Sequence, residues 1–502
     1  MPKINVKQNI SKTDWNRQAQ ETLKKSIQKR INTNVAKNVI LFIGDGMGIS
    51  TITAARILRG QQQGNSGEET VLEFEKFPNL ALAKTYTVDK QVPDSGATST
   101  AFLCGVKSNY YTLGLDDGAV YNNCSSQAGT EVSCVFDWFK DEAAGYAKSV
   151  NRLWEGTDSM TDIERGCKDI AHQLIYNNSH INVRFMIHVL FGGGRRYFLK
   201  QNTLDPKDGL KNNWAQRNDG IDLIEVWKKD KQDRNVTSEY VWNKKQFEDL
   251  NPETTDFALG LFGAGHLQYD VDRDQGPQGE PSLSEMTTKA IQILQRNEKG
   301  YFLLIESGRI DHAHHENNAY RSLTEMLEFE NAIKEALKLT NEEKTLIIVT
   351  SDHDHVFNIA GYPKRGNDIF GVPEPISPGD IPRDGLPYTT LVYGNGPGYQ
   401  FGNRENVRSI DTTHKDYRQA SAVPLAYETH GGNDVPIYAI GPMSHLFYGT
   451  QEQNYIAHVM AYAACVGINK GHCTTTEKTS NISPRVLLSY NYFTSINCII
   501  KT

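Results

Sequence analysis

The stretch Asn38 to Asp45, NVILFIGD, holds five consecutive apolar residues and then ends on Gly and Asp. A continuous apolar, β-branched run of this length, without polar alternation, predicts a short strand buried on both faces. Two other runs share the form: YFLLIE, ending at Glu306, and TLIIVTSDHDH, whose far end carries Asp352 and His353. Between the last two, RSLTEMLEFENAIKEALKL (321–339) has helical periodicity, as does SLSEMTTKAIQILQR (282–296) before them. Strands alternating with helices predict an α/β fold, with a large central mostly parallel β-sheet sandwiched between helices. In such sheets ligands bind outside the carboxyl ends of the strands. Asp45, Glu306 and Asp352 stand at those ends.

Composition narrows the function class. The chain has 502 residues, 38% hydrophobic and 23% charged, enough to bury a large core, and its net charge of −7 argues against a nucleic-acid surface. No run approaches the roughly 18 apolar residues of a membrane span. The N-terminal MPKINVKQNISKTDWN has no apolar h-region, so no signal peptide is expected in it. Seven cysteines are too few to define a disulfide scaffold by themselves. Residues 361–424 are dense in Pro and Gly without helical periodicity and read as a loop-rich insertion. The expected organisation is an N-terminal helical arm (1–35), an α/β core (36–360 and 425–473), that insertion, and a poorly ordered tail (474–502).

The chemistry concentrates in three further segments. In ESGRIDHAHHENNAY (306–320), Asp311 and His315 are four apart, so on a helix they share one face and can ligate one ion. SDHDH contributes the adjacent Asp352 and His353, and YETHGGND contributes His430 beside two glycines. Together they supply imidazole and carboxylate for two Zn²⁺ sites, while Glu306 and Asp45 add hard oxygens that suit Mg²⁺. Two metals about 4 Å apart are the usual clamp for in-line phosphoryl displacement, and one can lower a serine hydroxyl's pKa. QVPDSGATSTAFLCG (91–105) offers such a serine, Ser95, which locally reads equally well as part of an Asp/Ser helix cap. GDGMG (44–48) lacks the G-x-G-x-x-G spacing of a dinucleotide loop; its glycines suit a sharp turn around Asp45.

These motifs resemble the alkaline phosphatases in their animal form. The resemblance rests on KNVILFIGDGMGISTITAARIL, VPDSGATSTAFLCGVK, GGGRRYF, LLIESGRIDHAHHENNAYRSLTE, VTSDHDHVFNIAGYPKRG and THGGNDVPIYAIGPMSHLFYGTQEQNYIAHVMAYAACVG, in that order along the chain. It implies an α/β sandwich homodimer with a crown insertion, and hydrolysis of phosphate monoesters through a covalent phosphoserine. Carried over by motif, Ser95 is the nucleophile and Arg152, in SVNRLW, grips phosphate oxygens. Asp311, His315 and His430 hold one Zn²⁺, and Asp45, Asp352 and His353 the other, with Asp45 also reaching Mg²⁺ beside Glu306. The resemblance also implies disulfides Cys124–Cys167 and Cys465–Cys473, and hence an extracellular or cell-surface setting. A membrane contact would need a lipid anchor, and no anchor signal is visible in this chain.

The sequence departs from the family in three places. A strand and loop of the form T-T-T-R-V-x-H-A-[ST]-P, which supplies a His and a Ser or Thr to Mg²⁺, has no counterpart at the Glu142–Ala143 junction. In INVRFMIHVLFGGGRR the residues RFMIHV interrupt the strand that leads into the glycines. The Ca²⁺ site of the animal family is eroded, with Gly263 in an acidic position, Glu225 displaced by one and Glu280 in place of an aspartate. The alternatives to an active phosphatase are therefore a weak or inactive relative, as a splice form or incomplete gene model, or another metallo-hydrolase of the same superfamily.

Overall fold

A computed structural model describes residues 11–138, 147–160, 166–176, 187–207, 217–474 and 497–501. In chain order the strands are β1 (Asn38–Gly44), β2 (Asn79–Lys84), β3 (Ile187–Gly192), β4 (Ser238–Val241), β5 (Phe257–Leu261), β6 (Phe302–Ser307) and β7 (Thr345–Thr350). They continue with β8 (Asp354–His355), β9 (Phe357–Ile359), β10 (Leu391–Gly396), β11 (Ser421–Pro424), β12 (His430–Gly431), β13 (Val435–Ile440), β14 (Thr450–Glu452) and β15 (Asn497–Lys501). Among the described residues ten of them form one sheet, in the order β14-β2-β13-β7-β1-β6-β15-β3-β5-β4. Only β13 runs against its neighbours, β2 and β7; the other pairings are parallel.

The apolar run of β1 explains the layers. Ile40 and Phe42 point into a core shared with the helices Leu283–Leu294 and Ala319–Leu339, while Val39, Leu41 and Ile43 point into a core shared with Tyr455–Ala464. Both faces are covered, so no polar alternation is tolerated, and all six residues of β7 are buried too. The predicted helices form within a residue or two of their sequence patterns. Ser282 caps its helix as one half of a capping box with Glu285. The Lys12–Ile27 helix buries no side chain. From 361 to 424 the chain forms no α-helix, only short turns and the strands β10 and β11, which make a small sheet with β9.

Two expectations need correction. The tail is not uniformly irregular: β15 lies inside the large sheet, paired in parallel with β6 and with β3. A five-residue segment, NCIIK, can fill such a slot because backbone N–H and C=O groups make the ladder whatever the sequence. Nor do Ile187, His188 and Val189 interrupt a strand, since they form the first half of β3. Arg184–Met186 and the Glu142–Ala143 junction lie outside the described residues. The Cys124–Cys167 and Cys465–Cys473 disulfides are present, and Cys104–Cys134 is a third that the sequence reading did not anticipate.

Candidate active site

Ser95 opens the helix Ser95–Cys104, whose N-cap is Asp94. Asp94 Oδ2 accepts from Gly96 N at 2.9 Å and its Oδ1 from Tyr111 N at 2.8 Å, which anchors the helix start. Arg152 donates through Nη1 to the same Oδ2 at 3.2 Å. Gly96 is required here, because a Cβ would lie 2.9 Å from Asp94 Oδ2 and 3.2 Å from Arg152 Cβ. The small residues of SGATSTAFLC thus let Arg152 lie close against the helix. The charges of Asp94 and Asp45 outweigh a burial effect that would lower the Arg152 pKa, and push it above its ordinary value.

The strand ends converge as the parallel sheet predicts. After β1, Gly46 takes a left-handed φ of 71°, and a Cβ there would meet His355 Nε2 at 2.4 Å. Its N–H donates to Asp352 Oδ1 at 2.9 Å, tying the end of β1 to the end of β7. His353 Nε2 lies 3.2 Å from Asp352 Oδ2, 3.6 Å from Asp45 Oδ1 and 3.2 Å from the Ser95 hydroxyl. Burial, with His430 nearby, pushes the His353 pKa well down and keeps the imidazole neutral. Burial also pushes the Asp352 carboxyl up.

The second group forms around Asp311. The Arg309–His315 helix places Asp311 and His315 on one face, with His315 Nε2 at 3.3 Å from Asp311 Oδ2. His430 arrives through the antiparallel pair β12–β8, which sets it opposite His355, and its Nε2 is 3.3 Å from Asp311 Oδ1. His430 Nδ1 lies 2.8 Å from Pro93 O, and His315 Nδ1 lies 2.5 Å from Glu428 O. A carbonyl can only accept, so both Nδ1 atoms carry a proton, and in the neutral rings both Nε2 atoms present lone pairs. These lone pairs face each other at 3.2 Å beside a carboxylate. A proton on one ring or a metal cation between them reconciles that arrangement, and an ordered imidazole–carbonyl pair behind each ring is the usual support of a metal ligand. The donor set therefore fits a metal.

The sequence-predicted residues are not all brought together. Asp45, Asp352 and His353 form one convergent group, and Asp311 and His430 join His353 and His355 in another. Among the described residues Glu306 belongs to no such group, although it lines a cavity of ≈ 280 Å³ together with Ser95, Arg152 and Asp352. The carboxylates weighed for Ca²⁺ do not fit it. Glu225 pairs with Lys228 at 2.8 Å on an exposed helix face, while Glu280 pairs with Lys207 at 3.1 Å and accepts from Gln268 N.

Two residues of the site were missed. His355 donates to Asp311 Oδ1 at 2.8 Å and to Glu428 Oε2 at 2.5 Å. Burial alone would lower its pKa, but the Glu428 charge and these hydrogen bonds overcome that and push it up to about 10. His355 is thus an imidazolium that positions Asp311, whose own pKa is held well below the carboxylate range despite burial by its three histidine partners. A usable signal existed: His353 and His355, like Glu428 and His430, are two apart, and in extended chain such residues share a side.

The whole architecture has relatives. A family model described as alkaline phosphatase matches residues 36–466. The tissue-nonspecific alkaline phosphatase of Homo sapiens is 46% identical, the match covering 94% of this chain and 92% of that protein. An alkaline phosphatase of Gadus morhua is 45% identical, covering 91% and 98%. Among solved structures, Thermus thermophilus alkaline phosphatase superposes with a TM-score of 0.58 at 21% identity, covering 86% of this chain and 92% of that one. The enzyme of the Antarctic bacterium TAB5 gives 0.56 at 21%, covering 87% and 99%. Matched along nearly its whole length and built on the same fold, the chain belongs to the alkaline phosphatase family of phosphoric monoester hydrolases.

Proposed function

We propose that this enzyme cleaves phosphate monoesters through a phosphoserine formed on Ser95, with two Zn²⁺ and one Mg²⁺ as resident ions. The observation that carries this reading is the Ser95 hydroxyl, which lies at a helix N-terminus, 3.2 Å from His353 Nε2, on the same cavity as Arg152. Asp311, His315 and His430 would hold one Zn²⁺, and Asp45, Asp352 and His353 the other, with Asp45 and Glu306 serving Mg²⁺. Bound there, such ions supply Lewis acidity that stabilises a serine alkoxide and a departing oxygen.

Ser95 Oγ bonds to phosphorus as the ester oxygen leaves on the opposite side and takes up a proton to become the alcohol. Water then attacks the phosphoserine, releasing inorganic phosphate and returning the proton to Ser95. Arg152, oriented by Asp94, donates to two of the phosphoryl oxygens, and the positive end of the Ser95–Cys104 helix dipole faces the same charge. His355 keeps Asp311 ionised and aimed.

The test is acid quenching of the metal-loaded enzyme with labelled phenyl phosphate. The expected result is label on Ser95, none in Ser95→Ala, and two zinc ions per chain by elemental analysis. Label or turnover persisting in Ser95→Ala overturns the covalent route. A slower enzyme is the second reading, favoured by the position of Glu306 outside the convergent groups. Restored activity at high Mg²⁺ would identify it. The family resemblance supports a homodimer, and three disulfides support work outside the cell or at its surface.

A further inference from the structure

We infer that the pocket beside the Asp311–His315–His430 cluster is an oxyanion subsite, which selects phosphate esters whose leaving group carries its own negative charge. This rests on the phosphatase reading above. The pocket, ≈ 350 Å³ and open to solvent, shares His315 as a wall with the metal-ligating cluster and is lined further by Arg309, His312, His266, Arg418 and Glu316. His266 and His312 also line an adjoining cavity of ≈ 240 Å³ that holds Asp45, Arg152 and Asp311. The two cavities thus lie side by side across His266 and His312, which sets this pocket next to the place of an ester's phosphoryl group near Arg152.

The lining is built to receive an anion. Arg309 stacks over the Tyr269 ring, with 3.7 Å from guanidinium to ring centroid, which fixes its plane. Its Nη1 lies 3.1 Å from His312 Nδ1. A guanidinium can only donate, so His312 Nδ1 accepts and the proton of the neutral ring sits on Nε2, making that atom a donor. The His312 ring is itself held against His266, with centroids 4.3 Å apart. Among the described residues neither Arg309 nor Arg418 has a carboxylate within ion-pair distance, and the buried Arg309 Nε makes no hydrogen bond.

Two guanidiniums thus face the cavity against the single carboxylate of Glu316. The plane of Arg309 is fixed by Tyr269 and suits the two-oxygen geometry of a carboxylate or a second phosphate, to which the exposed Arg418 adds a second positive charge. An uncharged leaving group would leave this surface unused. The selectivity comes from binding outside the reacting centre, so it appears mainly in KM.

The measurement compares phenyl phosphate with 4-carboxyphenyl phosphate and with inorganic pyrophosphate, in wild type and in Arg418→Ala. Arg418 is exposed and lines neither cavity that holds Arg152, and matching melting temperatures establish that the variant is folded. The expected result is a roughly tenfold rise in KM for an anionic leaving group, with phenyl phosphate kinetics within about twofold of wild type. A rise for both anionic substrates indicates general oxyanion recognition, and a rise for only one identifies that anion as the match. Turnover of all three with unchanged ratios overturns the subsite while leaving the phosphatase reading intact. Absence of turnover of any ester by the wild type overturns that reading, and the subsite with it.

Discussion

The sheet differs on the two sides of β6. On one side β1 and β7 end in residues that could hold a metal and are laced together beyond their last residues, by Gly46 N to Asp352 Oδ1 and by Ser351 Oγ to Gly44 O at 2.7 Å. On the other side the neighbour of β6 is β15, drawn from the last residues of the chain and ending with Lys501 in register with Glu306. The first side is tied by particular side chains, Asp352 and Ser351, reaching to backbone groups of the neighbouring strand end. The second is specified by backbone pairing, which many apolar segments could provide. Chemistry therefore depends on the first side and structural closure on the second.

Removing the second side is the most severe way to break this comparison. A chain ending at Ser495 lacks β15 and leaves β6 and β3 facing an empty slot. Each buried backbone group left unpaired costs about 1–3 kcal/mol, so the total rivals the roughly 5–15 kcal/mol that stabilises a domain. No cooperatively folded protein is expected by circular dichroism. A melting temperature within a few degrees of the full chain would show that β15 is dispensable.

Asp311→Asn breaks the first side. It should reduce kcat by roughly 10³-fold and lower the melting temperature of the metal-free protein while unfolding stays cooperative, because the folded state stabilises the ionised Asp311 and the change leaves buried His355 short of a counter-charge. A loss of folding with activity would contradict the division of labour. His355→Gln should have a smaller effect, about 10- to 100-fold in zinc affinity, measured by competition with a chelator. An unchanged affinity would remove His355 from its positioning role.

The mildest test sharpens the contrast between carboxyls inside and outside the cluster. Asp311 is buried among imidazoles and stays ionised, whereas Glu325 is equally buried without such partners, and burial pushes its pKa up to about 8. Between the ordinary glutamate pKa of about 4.3 and that value, the folded protein keeps a proton that the unfolded chain has released. Stability is then full below the lower value and declines as pH rises toward 8, by about 1 kcal/mol per pH unit. Glu325→Gln should flatten the profile of melting temperature between pH 5 and 8. A slope identical to wild type would show that Glu325 ionises normally.

Much of the first side was legible in the sequence. Apolar runs that end in acid reveal both the strand and the place where its ligand emerges, and the four-residue spacing of Asp311 and His315 needs only a helix to become a metal site. His355 and Glu428 were harder to read, because their importance lies in contacts with each other and with Asp311, across 73 and 44 residues of chain. The two-residue spacing from His353 and from His430 hints at a shared side, but nothing local names the distant partner. The Cys104–Cys134 bridge was hidden for the same reason.

What the sequence by itself determined is the local physics. Burial on both faces makes β1, β6 and β7 strands, the small residues after Ser95 permit a helix that lets Arg152 lie close, and residue chemistry supplies zinc-type donors. What only the tertiary structure decided is which distant pieces meet: β15 beside β6, His430 opposite His355, and Arg309 sharing a pocket with Arg418. Periodicity and ligand chemistry act over a few residues and leave a local trace. Long-range pairing is selected by the fit of the whole fold, because backbone hydrogen bonds and charges are satisfied by any partner of suitable geometry.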